Sequence, residues 1–219
     1  VDALKIEVAV FTNLSGDHLD YHKTMEAYLA AKARQFTLLA PNGTAIINAD
    51  DPASETAIRT IAGRKDVRVL RCRESGGPAT AGECRVGIVD VSIDGMTLQL
   101  VGPWGEIETI VPMVGRYNAM NVLQAAASAW AMAGLTKDEL ERGLAKVAAP
   151  GGRLEPVSTP ADGVKVFVDY AHSDDSLTRM LEVIGPLVPG RGTKGGSVAA
   201  AAGTQRSATQ GRLWVVFGC

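Results

Sequence analysis

Residues 8–52 read VAVFTNLSGDHLDYHKTMEAYLAAKARQFTLLAPNGTAIINADDP, and their patterning decides the fold class. Val8 to Thr12 is a short apolar run of the kind a buried parallel strand carries. Asn13 to His22 is polar. Beyond it Met25, Tyr28, Leu29, Phe36 and Leu39 recur at helical spacing, with Thr24 placed to cap the helix they define. Pro41-Asn42-Gly43 ends that helix, Thr44 to Asn48 reads as the next strand, and Ala49-Asp50-Asp51-Pro52 is a turn that launches another short helix. Strand, helix, strand and helix in succession predict an α/β fold on a parallel sheet.

Farther along, the pattern changes. Val67–Leu70, Val86–Val91, Met96–Leu100 and Ile107–Val111 are short β runs with turn signals at Asp94-Gly95 and Gly102-Pro103, and they predict a small antiparallel patch added to the parallel sheet. Gly115 to Ala133 returns to helix and is rich in alanine. Thr136 to Val147 is a further helix, opened by a capping box of Thr136 with Glu139. Pro150-Gly151-Gly152 is the domain boundary, dividing residues 1–149 from residues 150–219. Past it, a strand at Val164–Val168, a helix at Ser173–Leu187 and a strand at Leu213–Phe217 predict a βαβ unit that starts a second α/β domain. The Gly-, Ser-, Thr- and Ala-rich stretch at about 190–210 reads as a flexible insertion.

Bulk properties narrow the function. With 46% hydrophobic and 21% charged residues the chain is of globular composition, and a formal net charge of -2 gives no electrostatic case for nucleic acid or an anionic membrane. No apolar run reaches the roughly 20 residues of a membrane-spanning helix. Cys72, Cys84 and Cys219 are odd in number and at no metal-ligand spacing, which favours free thiols in a reducing compartment. Val1 is not an initiator methionine, and the run GRLWVVFGC stops where a βα turn should begin, so both ends are expected to be cuts in a longer protein.

Four places carry candidate chemistry. Asp17-His18-Leu19-Asp20-Tyr21-His22 follows the first strand, where α/β sheets bind ligands; it can hold a metal or simply cap a turn. Lys32 lies on the apolar stripe of the first helix. Desolvation there favours the neutral amine, which can add carbon dioxide to become a carbamate, an anion able to ligate a hard cation; the alternative is a lysine whose stem covers the core while its ammonium reaches water. Asn118 and Asn121 sit at i and i+3 near the start of the alanine-rich helix, suited to a base or sugar edge or to capping. Asp169, at the end of Val164–Val168, suits a ribose hydroxyl, with Arg153 just past the boundary. No G-x-x-x-x-G-K-[ST] loop occurs in the 219 residues.

The ordered series TNLSGDHLDYHKTMEAYLAAKARQF, NGTAIINADDP, GRYNAMNVLQAAA, GGRLE, VDYAH and GRLWVVFG closely resembles the Mur ligases, and within them the MurE type, over nearly the whole chain. The resemblance implies a fold: the later part of a P-loop-type central domain, then the start of a Rossmann-like carboxyl-terminal domain. It also implies an activity, the ATP-dependent joining of diaminopimelate or lysine to UDP-N-acetylmuramoyl-L-alanyl-D-glutamate through an acyl-phosphate, in peptidoglycan synthesis in the cytoplasm, by a monomer. Lys32 matches the family's carbamylated lysine and His18 a histidine ligand of the same magnesium ion. Asn121 matches the asparagine on adenine, Arg153 an arginine near the nucleotide, and Asp169 the aspartate on ribose. A cyanophycin-synthetase-like or folylpolyglutamate-type ligase, a metal-dependent hydrolase and a non-catalytic relative that binds nucleotide or partner proteins are the competing readings. Because the resemblance puts the phosphate loop before Val1 and the amino-acid-selecting motif after Cys219, the purified 219-residue chain is expected to show neither ATP hydrolysis nor ligase turnover in a coupled ADP-release assay.

Overall fold

The computed structural model describes residues 4–14, 22–75, 78–189 and 211–217. It divides into two compact units, one of Val1–Asp90, Thr97–Val111 and Arg116–Val147, the other of Val91–Met96, Pro112–Gly115 and Ala148–Cys219. Among the described residues no helix is long and apolar enough to cross a membrane.

The first unit is built on a six-stranded sheet in the order β1 (Ile6–Phe11), β2 (Leu39–Asn48), β3 (Arg68–Glu74), β4 (Glu83–Ser92), β5 (Gly95–Gly102) and β6 (Gly105–Val111). The pairs β1–β2, β2–β3 and β3–β4 are parallel. Adjacent strands joined by only two residues, Ile93-Asp94 for β4–β5 and Pro103-Trp104 for β5–β6, run antiparallel, since so short a link cannot cross over. At the second of these turns Gly102 lies against the indole of Trp104. A Cβ there would come within 2.6 Å of the ring, so no larger residue fits.

Helix α1 (Met25–Thr37) starts where Thr24 accepts from the Ala27 amide, and α2 (Ser54–Thr60) follows β2. Phe36 and Ala57 from these helices, with Ile61 just after the second, pack with Ala9, Phe11, Ala45 and Ile47 of β1 and β2. Five consecutive buried positions at 43–47 show that β2 is covered on both faces, as the continuous apolar run predicts. Helix α3 (Tyr117–Ala133) packs on β1, β2 and β3, and α4 (Lys137–Leu144) packs on β6 and α3. The capping box expected at Thr136 and Glu139 is present, at 3.3 Å and 2.9 Å.

Two expectations for this unit need correction. Strand β2 begins at Leu39 rather than Thr44: Leu39 pairs with Ile6 while Thr44 pairs with Val8, and the irregularity between them absorbs Pro41-Asn42-Gly43 inside the strand. The run Val67–Leu70 belongs to the parallel sheet, not to the antiparallel patch. A parallel link normally needs a dozen residues or more. Here residues 75–82 suffice, because β4 enters beside Arg71, so the chain returns only from Glu74 to that level.

In the second unit Leu154, Ile184, Val188 and Val114 form the core, with Phe167, Met180 and Leu213 packed against it. The expected βαβ unit is not complete among the described residues. Only Phe167–Val168 of Val164–Val168 is a strand (β8), and it pairs antiparallel with Glu155–Pro156 (β7). Helix α5 (Asp174–Ile184) is capped by Ser173 and runs on into a 3-10 turn at Gly185–Leu187, but Leu213–Phe217 forms no strand. Alternating apolar residues report strand propensity; a strand also needs a neighbour to complete its ladder. Without one, Trp214 and Phe217 are exposed. The stretch at about 190–210 lies outside the described residues.

The entry of β4 is held electrostatically. Hydrogen bonding from Thr80, reinforced by the Arg85 guanidinium 3.0 Å away, lowers the Glu83 carboxyl from 4.5 to about 2. A depressed carboxyl stabilises the folded chain above its unfolded value and loses that contribution as pH falls toward its folded one. Glu83→Gln is therefore expected to lower the urea midpoint near neutrality, with the gap from wild type closing as the pH is taken from 4.5 toward 2.

Candidate functional site

The carboxyl edge of the parallel sheet gathers polar side chains around the exit of β1. Gln35 Nε2 of α1 donates to the Val10 carbonyl at 3.1 Å, and Gln124 Nε2 of α3 to the Phe11 carbonyl at 2.8 Å. Asn48 Nδ2, at the end of β2, donates to the Thr12 carbonyl at 2.7 Å, and Lys32 Nζ to the Asn13 carbonyl at 2.8 Å. The Leu14 amide donates to Asp51 Oδ2 at 2.8 Å, while Asp51 Oδ1 accepts from Ala53 at 2.8 Å. Five successive residues are thus fixed by side chains from two helices and the neighbouring strand end.

Lys32 is half-buried, with its ammonium 4.8 Å from the centre of the Tyr28 ring, and Tyr28 in turn stacks on His22. Its position fits a carbamate. Carbamylation leaves one hydrogen on Nζ, enough to keep the bond to Asn13, and places a carboxylate beyond it. The unmodified ammonium is donor-only and ligates nothing. His18, and with it most of the Asp17–His22 cluster, lies outside the described residues. Among the described residues no three His, Cys, Asp or Glu side chains gather as a metal site.

At the start of α3, Asn121 is exposed and its Nδ2 donates to Asn118 Oδ1 at 3.1 Å. Asn118 is not a cap: the helix begins at Tyr117 with Arg116 in the capping position and no side-chain cap, and Asn118 is its second residue, buried. Arg116 instead reaches Glu74 at the end of β3, at 2.9 Å. The first unit therefore carries Lys32 and Asn121 on elements that both anchor the exit of β1, through Lys32 itself and through Gln124 one turn beyond Asn121.

The second unit brings Arg153 and Asp169 together through the backbone. Asp169 Oδ2 accepts from the Leu154 amide and Oδ1 from the Ala171 amide, each at 2.8 Å, and the Tyr170 amide donates to the Gly152 carbonyl at 2.8 Å. Arg153 is exposed, with its guanidinium 5.9 Å from the centre of the Tyr170 ring. It sits between two residues of left-handed conformation, Gly152 (φ 67°) and Leu154 (φ 48°), and a branched side chain rarely adopts the latter. Ser173 caps α5, so Asp169 is spared that task and instead holds the strained loop, while each of its oxygens keeps further acceptor capacity.

Gln35, Asn48, Asp51 and Gln124 were not singled out in the sequence. Two signals existed: Gln35 follows Lys32 by three positions, and Gln124 follows Asn121 by three within an alanine-rich helix.

A parallel sheet covered on both faces, with polar groups collected beyond its carboxyl edge, defines an open α/β protein of the ligand-binding kind. Residues 1–129 match the family model of the Mur ligase middle domain, and the chain belongs to the Mur ligase family. The UDP-N-acetylmuramoyl-L-alanyl-D-glutamate–2,6-diaminopimelate ligase of Geobacter metallireducens is 37% identical over 202 residues, covering 87% of this chain and 37% of the relative. A solved structure of a ligase of that name superposes with a TM-score of 0.69 at 31% identity, over 84% of this chain and 37% of the other. MurF ligase from Thermotoga maritima, solved in complex with ADP, shares the fold at a TM-score of 0.61 and 19% identity, over 84% of this chain and 40% of its own. The chain thus spans well under half the length of these proteins.

Replacing Asp169 by alanine leaves the Leu154 and Ala171 amides without their acceptor. Asp169→Ala is expected to destabilise the second unit by about 1–3 kcal/mol, measured by urea unfolding followed by far-UV circular dichroism.

Proposed function

We propose that this chain is the distal part of the ATPase-type central domain (residues 1–149) and the start of the carboxyl-terminal domain (residues 150–219) of a MurE-type ligase. The complete enzyme would use ATP to activate the terminal carboxylate of UDP-N-acetylmuramoyl-L-alanyl-D-glutamate as an acyl-phosphate. It would join the amino group of diaminopimelate or lysine to that carboxylate, in the cytoplasm, during peptidoglycan synthesis. Mur ligases are ATP-dependent, and the sequence relatives at over 30% identity bear the MurE activity in their names.

The observation that carries the reading is Lys32 Nζ held at 2.8 Å from the Asn13 carbonyl, against the Tyr28 ring, at the carboxyl edge of the sheet. The neutral amine adds carbon dioxide, forming the N–C bond and releasing one proton, and the product is anionic. Lys32 as carbamate and His18 would hold a magnesium ion, which supplies charge neutralisation at the phosphorylated carboxylate. Asn121 offers both amide donor and acceptor to the edge of an adenine, with Asn118 fixing its orientation. Asp169 retains acceptor sites for the ribose hydroxyls, and Arg153 carries a fixed positive charge for the nucleotide.

In the complete ligase, Lys32→Ala is expected to lower kcat by about a hundredfold or more while leaving KM for ATP nearly unchanged, since it removes a group acting on developing charge. Asn121→Ala is expected to raise KM for ATP with a smaller effect on kcat. Turnover is read as ADP released in the presence of the UDP-linked dipeptide and diaminopimelate or lysine. A Lys32→Ala enzyme with wild-type kcat would overturn the proposal.

A further inference from the structure

Cys72 and Cys84 take no part in the site described above, and their placement is specific. They are Cα partners across the parallel pair β3–β4, both fully buried, with side chains on the same face of the sheet. Neighbouring strands lie about 4.8 Å apart, inside the Cα separation that a disulfide spans. Both are free thiols. A hydrogen bond from Cys84, together with burial, pushes the Cys72 thiol far above its ordinary value, so the resting pair is a dithiol.

We propose that Cys72 and Cys84 are a redox-sensitive pair that oxidises within the folded sheet to a cross-strand disulfide, with a hydroperoxide as the oxidant class. One cysteine, losing its proton, attacks a peroxide oxygen; the O–O bond breaks, leaving a sulfenic acid and water (or an alcohol). The second sulfur then attacks the first, the S–O bond breaks, and the hydroxyl leaves as water with the second thiol's proton. Two electrons pass from the two sulfurs to the peroxide.

Position supplies access despite burial. Cys72 is two residues from the end of β3, where β2 still pairs with it, and Cys84 is the second residue of β4, so local opening at the entry of β4 is the route by which an oxidant would reach the pair. The parallel overlap of the two strands is only Arg71–Glu74 against Glu83–Val86, and the disulfide would lie within it, locking that seam. The same edge carries Glu74, which anchors Arg116 at the start of α3, and Asp50, which holds the Glu74 amide at 2.6 Å.

The test treats the 219-residue chain, carrying Cys219→Ser to remove the competing thiol, with hydrogen peroxide in native buffer. It is then quenched by alkylation and analysed by intact mass, non-reducing peptide mapping and far-UV circular dichroism. The expected result is loss of both thiols together, an intramolecular link between the peptides holding Cys72 and Cys84, an unchanged dichroism spectrum and full reversal by dithiothreitol. The wild-type chain, mapped in parallel, should show the same link. The proposal is overturned if both thiols survive in native buffer and oxidise only in urea. It is equally overturned if the link forms with loss of the folded spectrum, if it joins separate chains, or if a single cysteine is driven to sulfinic acid.

Discussion

The structure depends on how β1 ends. A buried parallel strand leaves the sheet with carbonyls and amides that have no further ladder to join, and each needs a partner. In this chain the partners are side chains: Gln35 and Lys32 from one helix, Gln124 from another, and Asn48 and Asp51 from the neighbouring strand end. The interactions draw on residues far apart in sequence, and Gln124 reaches back to Phe11 across more than a hundred positions. A loop held this way is a rigid platform. The lysine that the functional reading requires is itself one of its supports, so chemistry and backbone geometry are coupled at one side chain.

The same economy appears in the second unit, where Asp169 spans two backbone amides and Leu154 is kept in a conformation it would not choose. The exposed arginine beside it has a long, flexible side chain, yet its Cα is placed by that carboxylate and by the left-handed Gly152. Gly152 meets no neighbour that excludes a side chain; it is the backbone angle that favours glycine there.

Much of the fold was legible because local signals and tertiary packing agree. Thr24, Thr136 and Ser173 each cap the helix assigned to them, and the apolar period of Met25–Phe36 marks the buried face of α1. What was illegible involved partners rather than propensities. Pro41-Asn42-Gly43 has the composition of a turn, but β2 takes it up as an irregular stretch of strand. Leu213–Phe217 has the composition of a strand, but no neighbour completes it among the described residues. The candidates Lys32 and Asn121 in the first unit, and Arg153 and Asp169 in the second, were picked out through ordered motifs. The polar residues that fix the exit of β1 escaped notice, since a glutamine in a helix carries no sign of the carbonyl it will meet.

The staggered meeting of β3 and β4 bears on how such a sheet can be assembled. Because β4 joins its parallel neighbour over so short a seam and then runs on into two hairpins, β4 to β6 amount to a local module whose internal contacts are nearly all close in sequence. Modules of that kind form quickly and can be lengthened at little entropic cost through the connecting segment. The seam is therefore a natural grafting point. Lineages sharing the parallel half could vary the antiparallel extension while leaving the ligand edge untouched.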